Sequence, residues 1–176
     1  MRIIAGKYRG KPLCSPSGKN VRPTGDMVKQ GLFTKLQFFV ADKVVLDLFC
    51  GSGALGIEAI SRGAKKVVFV DKDWNSISLT KHNLASIGEK AVVLKNDAIS
   101  ALKKFNEKFD LILLDPPYAS GIYESCLEQI YECDLLSDEG IIVCEHDKTE
   151  NISDKYFEIF DQKRYGTVFL TYLKKK

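Results

Sequence analysis

The sequence lacks the features of several specialised protein classes. No apolar run approaches the roughly 18 residues that a membrane-spanning helix needs. The first residues contain no apolar stretch of the kind found in a secretory signal peptide. The five cysteines are an odd number and form no C-x-x-C pair, which argues against a disulfide framework and against a zinc site. We therefore expect a reduced, cytoplasmic protein with no membrane partner and no metal.

Acidic residues are absent from the first 25 positions. The remaining residues carry 20 basic and 23 acidic side chains, so the net charge of +3 comes from the six basic residues of this first segment. A basic segment on a nearly neutral body favours a polyanionic partner. The sequence thus predicts two parts, a basic hairpin or arm at 1–25 and a domain at 26–176. The expected RNA contacts in the arm are Arg2, Lys7, Arg9, Lys11 and Arg22, with Tyr8 as a possible stacking ring. The alternative is a solvated tail.

From residue 44 onward, short apolar runs alternate with helical patterns. The runs cover 44–48, 66–70, 91–94, 111–114 and 141–144, and a strand pair follows within 156–173. Continuous apolar strands separated by helices indicate an α/β fold whose mostly parallel sheet is covered on both faces. Before this region, Gly6 and Gly10 suggest a small hairpin within 1–13, and a helical pattern covers 27–39 with Asp26 as a possible N-cap. Ligands of such sheets bind beyond the carboxyl ends of the strands.

A glycine loop, GSGALG at 51–56, lies between the first strand and the next helix. The loop matches G-x-G-x-x-G, and Asp71 follows Gly51 by 20 positions, as in a dinucleotide-binding fingerprint. However, Asp47 ends the first strand, and a carboxylate so close to the loop disfavours a pyrophosphate. S-adenosylmethionine carries an ammonium and a sulfonium and no phosphate. The loop therefore favours S-adenosyl-L-methionine as cofactor over a nicotinamide.

Each end of this cofactor has a candidate partner. Asp47 is predicted to bind the amino group of the methionine part, and Asp71 both ribose hydroxyls. Asp97 is expected to accept a hydrogen bond from the adenine amino group. The other predicted contacts are the backbone at Gly51 and Gly53, the Ala98 N–H against the adenine ring, and Phe49. The alternative for each acid is a helix N-cap.

The sequence LLDPPY, at 113–118, predicts the catalytic turn. The exocyclic amine of a base is a poor nucleophile until its lone pair points at the methyl group, and two acceptors, one for each N–H, can hold it so. The Asp115 carboxylate and the Pro116 carbonyl are the predicted acceptors. Pro116 and Pro117 fix φ and lack N–H groups, so the turn is stiff and offers no competing donors. Tyr118 offers a face on which the extruded base can stack.

These motifs together resemble a known family. MRIIAGKYRGKPL at 1–13, RPT at 22–24, LDLFCGSGALGIEAISRGA at 46–64 and LLDPPY are similar to the bacterial 16S ribosomal RNA guanine-N(2) methyltransferases. The resemblance implies a Rossmann-like class I methyltransferase fold with seven strands, the last antiparallel. It also implies S-adenosylmethionine as cofactor, the exocyclic amine of a guanine in 16S ribosomal RNA as target, and Thr24 beside the cofactor. The family's Arg-rich stretch after RPT is replaced here by Met27-Val28-Lys29-Gln30.

Three rival functions remain at this point. D-P-P-Y also serves adenine, so an adenine amino methyltransferase acting on DNA or RNA is the first alternative. A nicotinamide-dependent oxidoreductase and a non-catalytic RNA-binding module are the others. The expected partner is 16S ribosomal RNA or the small ribosomal subunit, bound by a monomer. His82 and His146 are expected on the surface, and Cys126 and Cys133 on one buried helix face.

Overall fold

The computed structural model describes residues 1–16, 25–117 and 120–176. The five helices in this part of the chain are α1 Asp26–Lys35, α2 Ala54–Ser61, α3 Trp74–Ser86, α4 Ala98–Leu102 and α5 Tyr123–Glu132. The seven strands are β1 Val44–Asp47, β2 Lys66–Asp71, β3 Val92–Lys95, β4 Phe109–Leu114, β5 Leu136–His146, β6 Glu158–Tyr165 and β7 Val168–Lys174. No helix within these ranges is long and apolar enough to cross a membrane.

The strands form one sheet in the order β3-β2-β1-β4-β5-β7-β6. β1 to β5 pair in parallel, whereas β7 is antiparallel to both of its neighbours. The sheet therefore has seven mostly parallel strands and an antiparallel last strand, which confirms the fold class expected from the sequence. The order reverses between β1 and β4, and this places a ligand crevice at the carboxyl ends of those two strands.

Each face of the sheet carries its own apolar core. Side chains of α1, α2 and α3 pack on one face together with residues of the amino-terminal hairpin. Side chains of α4 and α5 pack on the other. The central strands are buried on both faces, which explains why their sequences are continuously apolar rather than alternating.

The amino-terminal segment forms the expected hairpin, and it packs on the domain. Arg2 pairs with Pro12 in an antiparallel bridge. Ile3 and Leu13 are buried in the same core as α1 and α2. A Cβ at Gly6 would lie 1.8 Å from the Ser61 carbonyl oxygen, so the hairpin backbone lies directly on the end of α2. The division at residue 25 stays a prediction, but the described part of the segment is not a solvated tail.

Helix α1 differs from the prediction at both ends. Gly25 is the N-cap, with no side-chain hydrogen bond, so the expectation that Asp26 caps the helix is wrong. The helix ends at Lys35 rather than near Phe39. Leu36 and Phe39 lie in the turns that follow and still pack on the core. The helical spacing of apolar residues in the sequence therefore continues beyond the end of the helix.

Three other expectations are corrected by the packing. β5 starts at Leu136 rather than Ile141, because Leu136 pairs with Phe109 before a shift in register leads to the pair Leu111–Ile141. His146 is buried, not on the surface, since Phe169 of β7 stacks on its ring and the Thr171 hydroxyl lies 2.8 Å from Nε2. Cys126 is buried as expected, whereas Cys133 follows the last residue of α5 and is exposed.

Candidate active site

A cavity of about 1070 Å³ opens at the carboxyl edge of the sheet. The residues that follow β1, β2, β3 and β4 contribute to its wall, as expected for a parallel sheet. Most of the predicted cofactor and catalytic residues line it: Asp47, Phe49, Gly51, Asp71, Asp97, Ala98, Asp115, Pro116 and Pro117. The structure thus brings together side chains that are up to 70 positions apart in the sequence.

Each of the three glycines in the loop is needed for a different physical reason. Gly51 has a φ of 54° and nothing within 4 Å of a Cβ position, so its backbone is open to the cavity. Gly53 was predicted to let the cofactor approach, but it is not part of the cavity wall, and a Cβ there would lie 2.9 Å from Cγ2 of Thr80. Its φ of 79° also favours glycine. Gly56 allows α2 to pack on Phe69, whose ring lies 2.2 Å from a Cβ position.

Asp47 lies at the end of β1, under the start of α2. Its Oδ2 accepts a hydrogen bond of 2.9 Å from the backbone N–H of Gly56, so it satisfies a donor in the first turn of that helix. The side chain is only 2% exposed. Its pKa is raised to about 7, mainly by burial and also by the charges of Asp115 and Asp71, although the hydrogen bond from Gly56 opposes the rise. A cation placed beside Asp47 would therefore be strongly favoured.

Asp71 lies at the end of β2 and faces the loop after β1. Its Oδ2 accepts a hydrogen bond of 3.0 Å from the Gly51 N–H, and its Oδ1 accepts one of 2.9 Å from the Asp73 N–H. The two bonds fix the carboxylate at the cavity wall. Each carboxylate oxygen has a second lone pair, so the group can still accept two further hydrogen bonds from a vicinal diol.

Asp97 and Ala98 form the third part of this wall. Asp97 is the N-cap of α4, and its Oδ1 accepts a hydrogen bond of 3.0 Å from the Ser100 N–H. The alternative of a helix cap is therefore correct for this residue, although the side chain also lines the cavity. Ala98 is buried at the first position of α4. An adenine contact from either residue stays a prediction.

The turn after β4 completes the cavity. Asp115 and Pro117 line it together with the buried Pro116. Asp115 is close enough to Asp47 to raise the pKa of that carboxyl. The predicted contacts of Tyr118 and Thr24, and the RNA contact of Arg22, lie outside the described residues.

The predicted RNA-binding cations of the hairpin are exposed. Arg2 forms an ion pair of 3.3 Å with Asp26, and Lys7 one of 3.4 Å with Glu89. Exposed pairs of this kind are worth about 0–1 kcal/mol, so a phosphate could replace either acid. Arg9 and Lys11 are also exposed. The RNA-binding role of the four stays a prediction.

Tyr8 does not fit the predicted stacking role. The ring is buried in the core that the hairpin shares with α2 and α3, and its hydroxyl donates a hydrogen bond to Glu89. Lys7 lies over one part of the ring, with Nζ 4.8 Å from its centre, and Lys11 lies 5.3 Å away. A base therefore has no free face of Tyr8 on which to stack.

Two buried polar residues that sequence reasoning missed join the hairpin to the cofactor wall. Glu58, which is 0% exposed, accepts hydrogen bonds from the backbone N–H groups of Ile4 and Ala5. It also forms an ion pair of 2.9 Å with Arg62. Asn83 accepts a hydrogen bond from the Cys14 N–H and donates to the carbonyl oxygens of Cys14 and Ser52. These long-range contacts follow from the fold and leave no local sequence signal.

Lys29 is a third residue of this kind, and it lines the cavity. Its Nζ donates a hydrogen bond of 2.5 Å to the Arg2 carbonyl oxygen and lies 3.5 Å from the Glu58 carboxylate. Burial lowers the pKa of Lys29, and the charge of Glu58 opposes this. Asn96, which also lines the cavity, could have been found from the sequence, because it follows β3 directly.

No group of three or more metal-binding side chains is found in the part of the chain that the structure describes. Six aspartates and only two lysines, Lys29 and Lys72, line the cavity, so carboxylates dominate the wall. Such a wall suits a cationic ligand with hydroxyl groups better than it suits a phosphate.

Comparison with known proteins gives one family and a common fold. The family described as Conserved hypothetical protein 95 matches residues 1–174. Ribosomal RNA small subunit methyltransferase D of Haemophilus influenzae is 34% identical over 174 residues, which are 96% of this chain and 90% of that protein. The solved structure of Escherichia coli yhhF has a TM-score of 0.88 and 30% identity, covering 100% of this chain and 98% of that one.

A more distant structure shares the fold. The Thermus thermophilus 16S rRNA N2 G1207 methyltransferase, solved in complex with AdoMet and guanosine, has a TM-score of 0.74 and 24% identity. The match covers 91% of this chain and 45% of that one. At this identity, the similarity is one of fold.

Proposed function

This chain belongs to the family described as Conserved hypothetical protein 95, and from that premise we propose that it transfers a methyl group from S-adenosyl-L-methionine to a guanine in 16S ribosomal RNA. The acceptor is the exocyclic N2 amine. The family membership confirms the resemblance drawn from the sequence, and the H. influenzae relative is named as a ribosomal RNA small subunit methyltransferase. The substrate is the RNA or the assembled small subunit, in the cytoplasm, where five free cysteines stay reduced.

One observation carries the proposal. Asp47, Asp71 and Asp115 line a single cavity, the charges of Asp71 and Asp115 both raise the pKa of Asp47, and two prolines follow Asp115. Converging negative charges would repel a pyrophosphate and attract an ammonium or a sulfonium. This argues against the nicotinamide alternative. A module that only binds RNA would have no use for three acids facing a phosphate-rich ligand.

The residues of the wall fit the proposed cofactor. Asp47 would bind its amino group, and Asp71 its two ribose hydroxyls through the lone pairs that Gly51 and Asp73 leave open. The open space beside Gly51 would admit the methionine part. When bound, S-adenosylmethionine supplies a methyl group on a positively charged sulfur.

The chain's own residues then orient and deprotonate the amine. Asp115 and the Pro116 carbonyl accept one N–H each, so that the nitrogen lone pair points at the methyl carbon. The oriented amine would accept the methyl group that the bound cofactor supplies, and the sulfur would keep the electron pair of the broken bond. Asp115 takes the proton that the new ammonium releases and passes it to water. Positioning and electrostatic fit supply the rate enhancement.

Transfer of labelled methyl to small-subunit RNA tests the function. We expect the label in N2-methylguanosine after digestion to nucleosides. Label in a methylated adenosine would instead support the adenine alternative. No transfer to either the naked RNA or the isolated subunit, by a protein that binds the cofactor in calorimetry, would contradict the proposal.

A further inference from the structure

One exposed aromatic side chain has no role in the site described so far. Trp74, the first residue of α3, is 61% exposed. Lys72, Asp73 and Ser76 around it line the cavity, whereas Trp74 does not. The indole therefore faces solvent beside the cavity and is available to a partner other than the cofactor.

Two cations lie over the ring of this indole. The Nζ atom of Lys81, on the same helix, is 5.9 Å from the ring centre, and that of Lys95, at the end of β3, is 6.0 Å from it. Neither lysine has a carboxylate partner among the residues that the structure describes. The neighbouring acid, Asp73, caps α3, where it accepts a hydrogen bond from the Ser76 N–H. The surface therefore presents an indole that is 61% exposed, together with two lysines over its ring that could move to contact phosphates.

We propose that Trp74, Lys81 and Lys95 form a second contact surface for single-stranded RNA, in which one unpaired base stacks on the indole and adjoining phosphates lie against the two lysines. An aromatic platform with flanking cations is the usual chemistry of sequence-tolerant single-strand binding. The inference relies on the proposed function only for the identity of the polyanion.

The position of the surface fits a nucleotide near the target. β3 and β4 are separated by β2 and β1, so the ends of the strands that carry Lys95 and Asp115 are about 14 Å apart. A few nucleotides of extended RNA span this distance. The base on Trp74 would therefore be a neighbour of the guanine at Asp115, and the contact would hold the strand across the cavity mouth.

The chain offers a direct measurement, because Trp74 is its one tryptophan. Tryptophan fluorescence, excited at a wavelength that the seven tyrosines do not absorb, thus reports on this surface alone. We expect titration with a short, unstructured RNA oligonucleotide to quench the fluorescence, and the quenching to persist with saturating S-adenosylhomocysteine. Unchanged fluorescence at an RNA concentration that saturates binding in a filter assay would overturn the proposal.

Variants separate stacking from charge. Trp74→Ala should weaken RNA binding about 5- to 100-fold, and Trp74→Phe should recover most of it. Replacing Lys81 and Lys95 together with Gln should flatten the dependence of log affinity on log salt by up to about 1.4. The matched control is Phe38→Ala: Phe38 is 94% exposed but lies before the amino end of β1, away from the cavity, so RNA affinity should not change.

Further outcomes show what binds to the surface and distinguish a failure of this proposal from a failure of the proposed function. If Trp74→Ala dissociates a dimer in sedimentation without RNA, the surface binds protein and the RNA proposal is wrong. Methyl transfer to ribosomal RNA with normal KM in Trp74→Ala would refute the surface and leave the function intact. Conversely, RNA-dependent quenching by a protein that transfers no methyl would refute the function alone.

Discussion

Replacement of Asp47 by Asn tests the electrostatic reasoning about the cofactor site. The asparagine keeps an acceptor for the Gly56 N–H and removes only the ionisable group. In the wild type, burial raises the pKa of Asp47 to about 7, so the free protein is about 90% protonated there at pH 6 and about half protonated at pH 7. An ammonium group bound beside it stabilises the ionised form. Cofactor binding should therefore release a proton from Asp47.

The size of this effect follows from the same pKa. Binding should release about 0.9 proton at pH 6 and about 0.5 at pH 7, and affinity should rise about fivefold between the two. Calorimetry in buffers of different ionisation enthalpy measures the released protons. Asp47→Asn should lose this release and bind about 1.5–3 kcal/mol more weakly at neutral pH or above. Because the cofactor's own amine also titrates, the difference between wild type and variant is the quantity to compare.

The same substitution also tests how stability depends on pH, because the contribution of Asp47 to stability falls with rising pH whereas cofactor affinity rises. The folded pKa of Asp47 exceeds its unfolded value of 3.8, so the native state binds the proton more tightly. Without cofactor, the contribution of Asp47 to stability should fall as the pH rises from about 4 to about 7, by up to about 4 kcal/mol. Asp47→Asn should therefore be less sensitive to pH than the wild type in denaturant unfolding. Equal proton release and equal pH sensitivity in the two proteins would refute the reasoning.

Three other changes test the remaining parts of the site. Asp115→Ala should lower the single-turnover rate of methyl transfer on the order of 10²–10³-fold while changing cofactor affinity far less; a rate near that of wild type would exclude its role in holding the amine. Replacing Lys7, Arg9 and Lys11 together with Gln should flatten the salt dependence of RNA binding by up to about two units at unchanged thermal stability; an unchanged slope would show that the hairpin is not an RNA-binding surface. Asn83→Ala should lower the free energy of unfolding by about 1–3 kcal/mol, because three backbone groups, of Cys14 and Ser52, lose their partner, and should weaken cofactor binding; the exposed Asn75→Ala on the same helix is the control.

The fold was predictable because its signals are local and repeated. Continuous apolar runs identified the strands, and glycines such as Gly63 and Gly88 marked the helix ends, where both have positive φ. The order of the acids along the chain then placed them at one edge of the sheet. The buried partners were not predictable in this way. Glu58 and Asn83 bind backbone groups more than 50 positions away, and a polar residue in a helix gives no sign of such a partner.

The packing of the hairpin on the domain was not predicted, because its basic residues suggested an extended segment. Six basic residues and no acid suggested a segment that extends from the domain to bind RNA. Ile3 and Leu13 instead join the core, and Glu58 binds the hairpin backbone. Deletion of 1–13 would therefore remove apolar core and leave Glu58 buried without its two backbone donors, Ile4 and Ala5. For this reason only the charge substitutions, and not the deletion, can report on RNA binding.

A helix cap and a ligand contact, which the sequence left open as alternatives for each acid, do not exclude one another. Asp47 satisfies the first turn of α2, Asp97 caps α4, and Asp71 holds the backbone at Gly51 and Asp73. A carboxylate has about four lone-pair sites, and these bonds use one or two of them. The backbone N–H groups fix the direction of each carboxylate before any ligand arrives, which lowers the entropy lost on binding. The acids that position the helices are thus well suited to bind the cofactor. A substitution that keeps the capping hydrogen bond, such as Asp to Asn, tests the effect of the charge without disturbing the backbone.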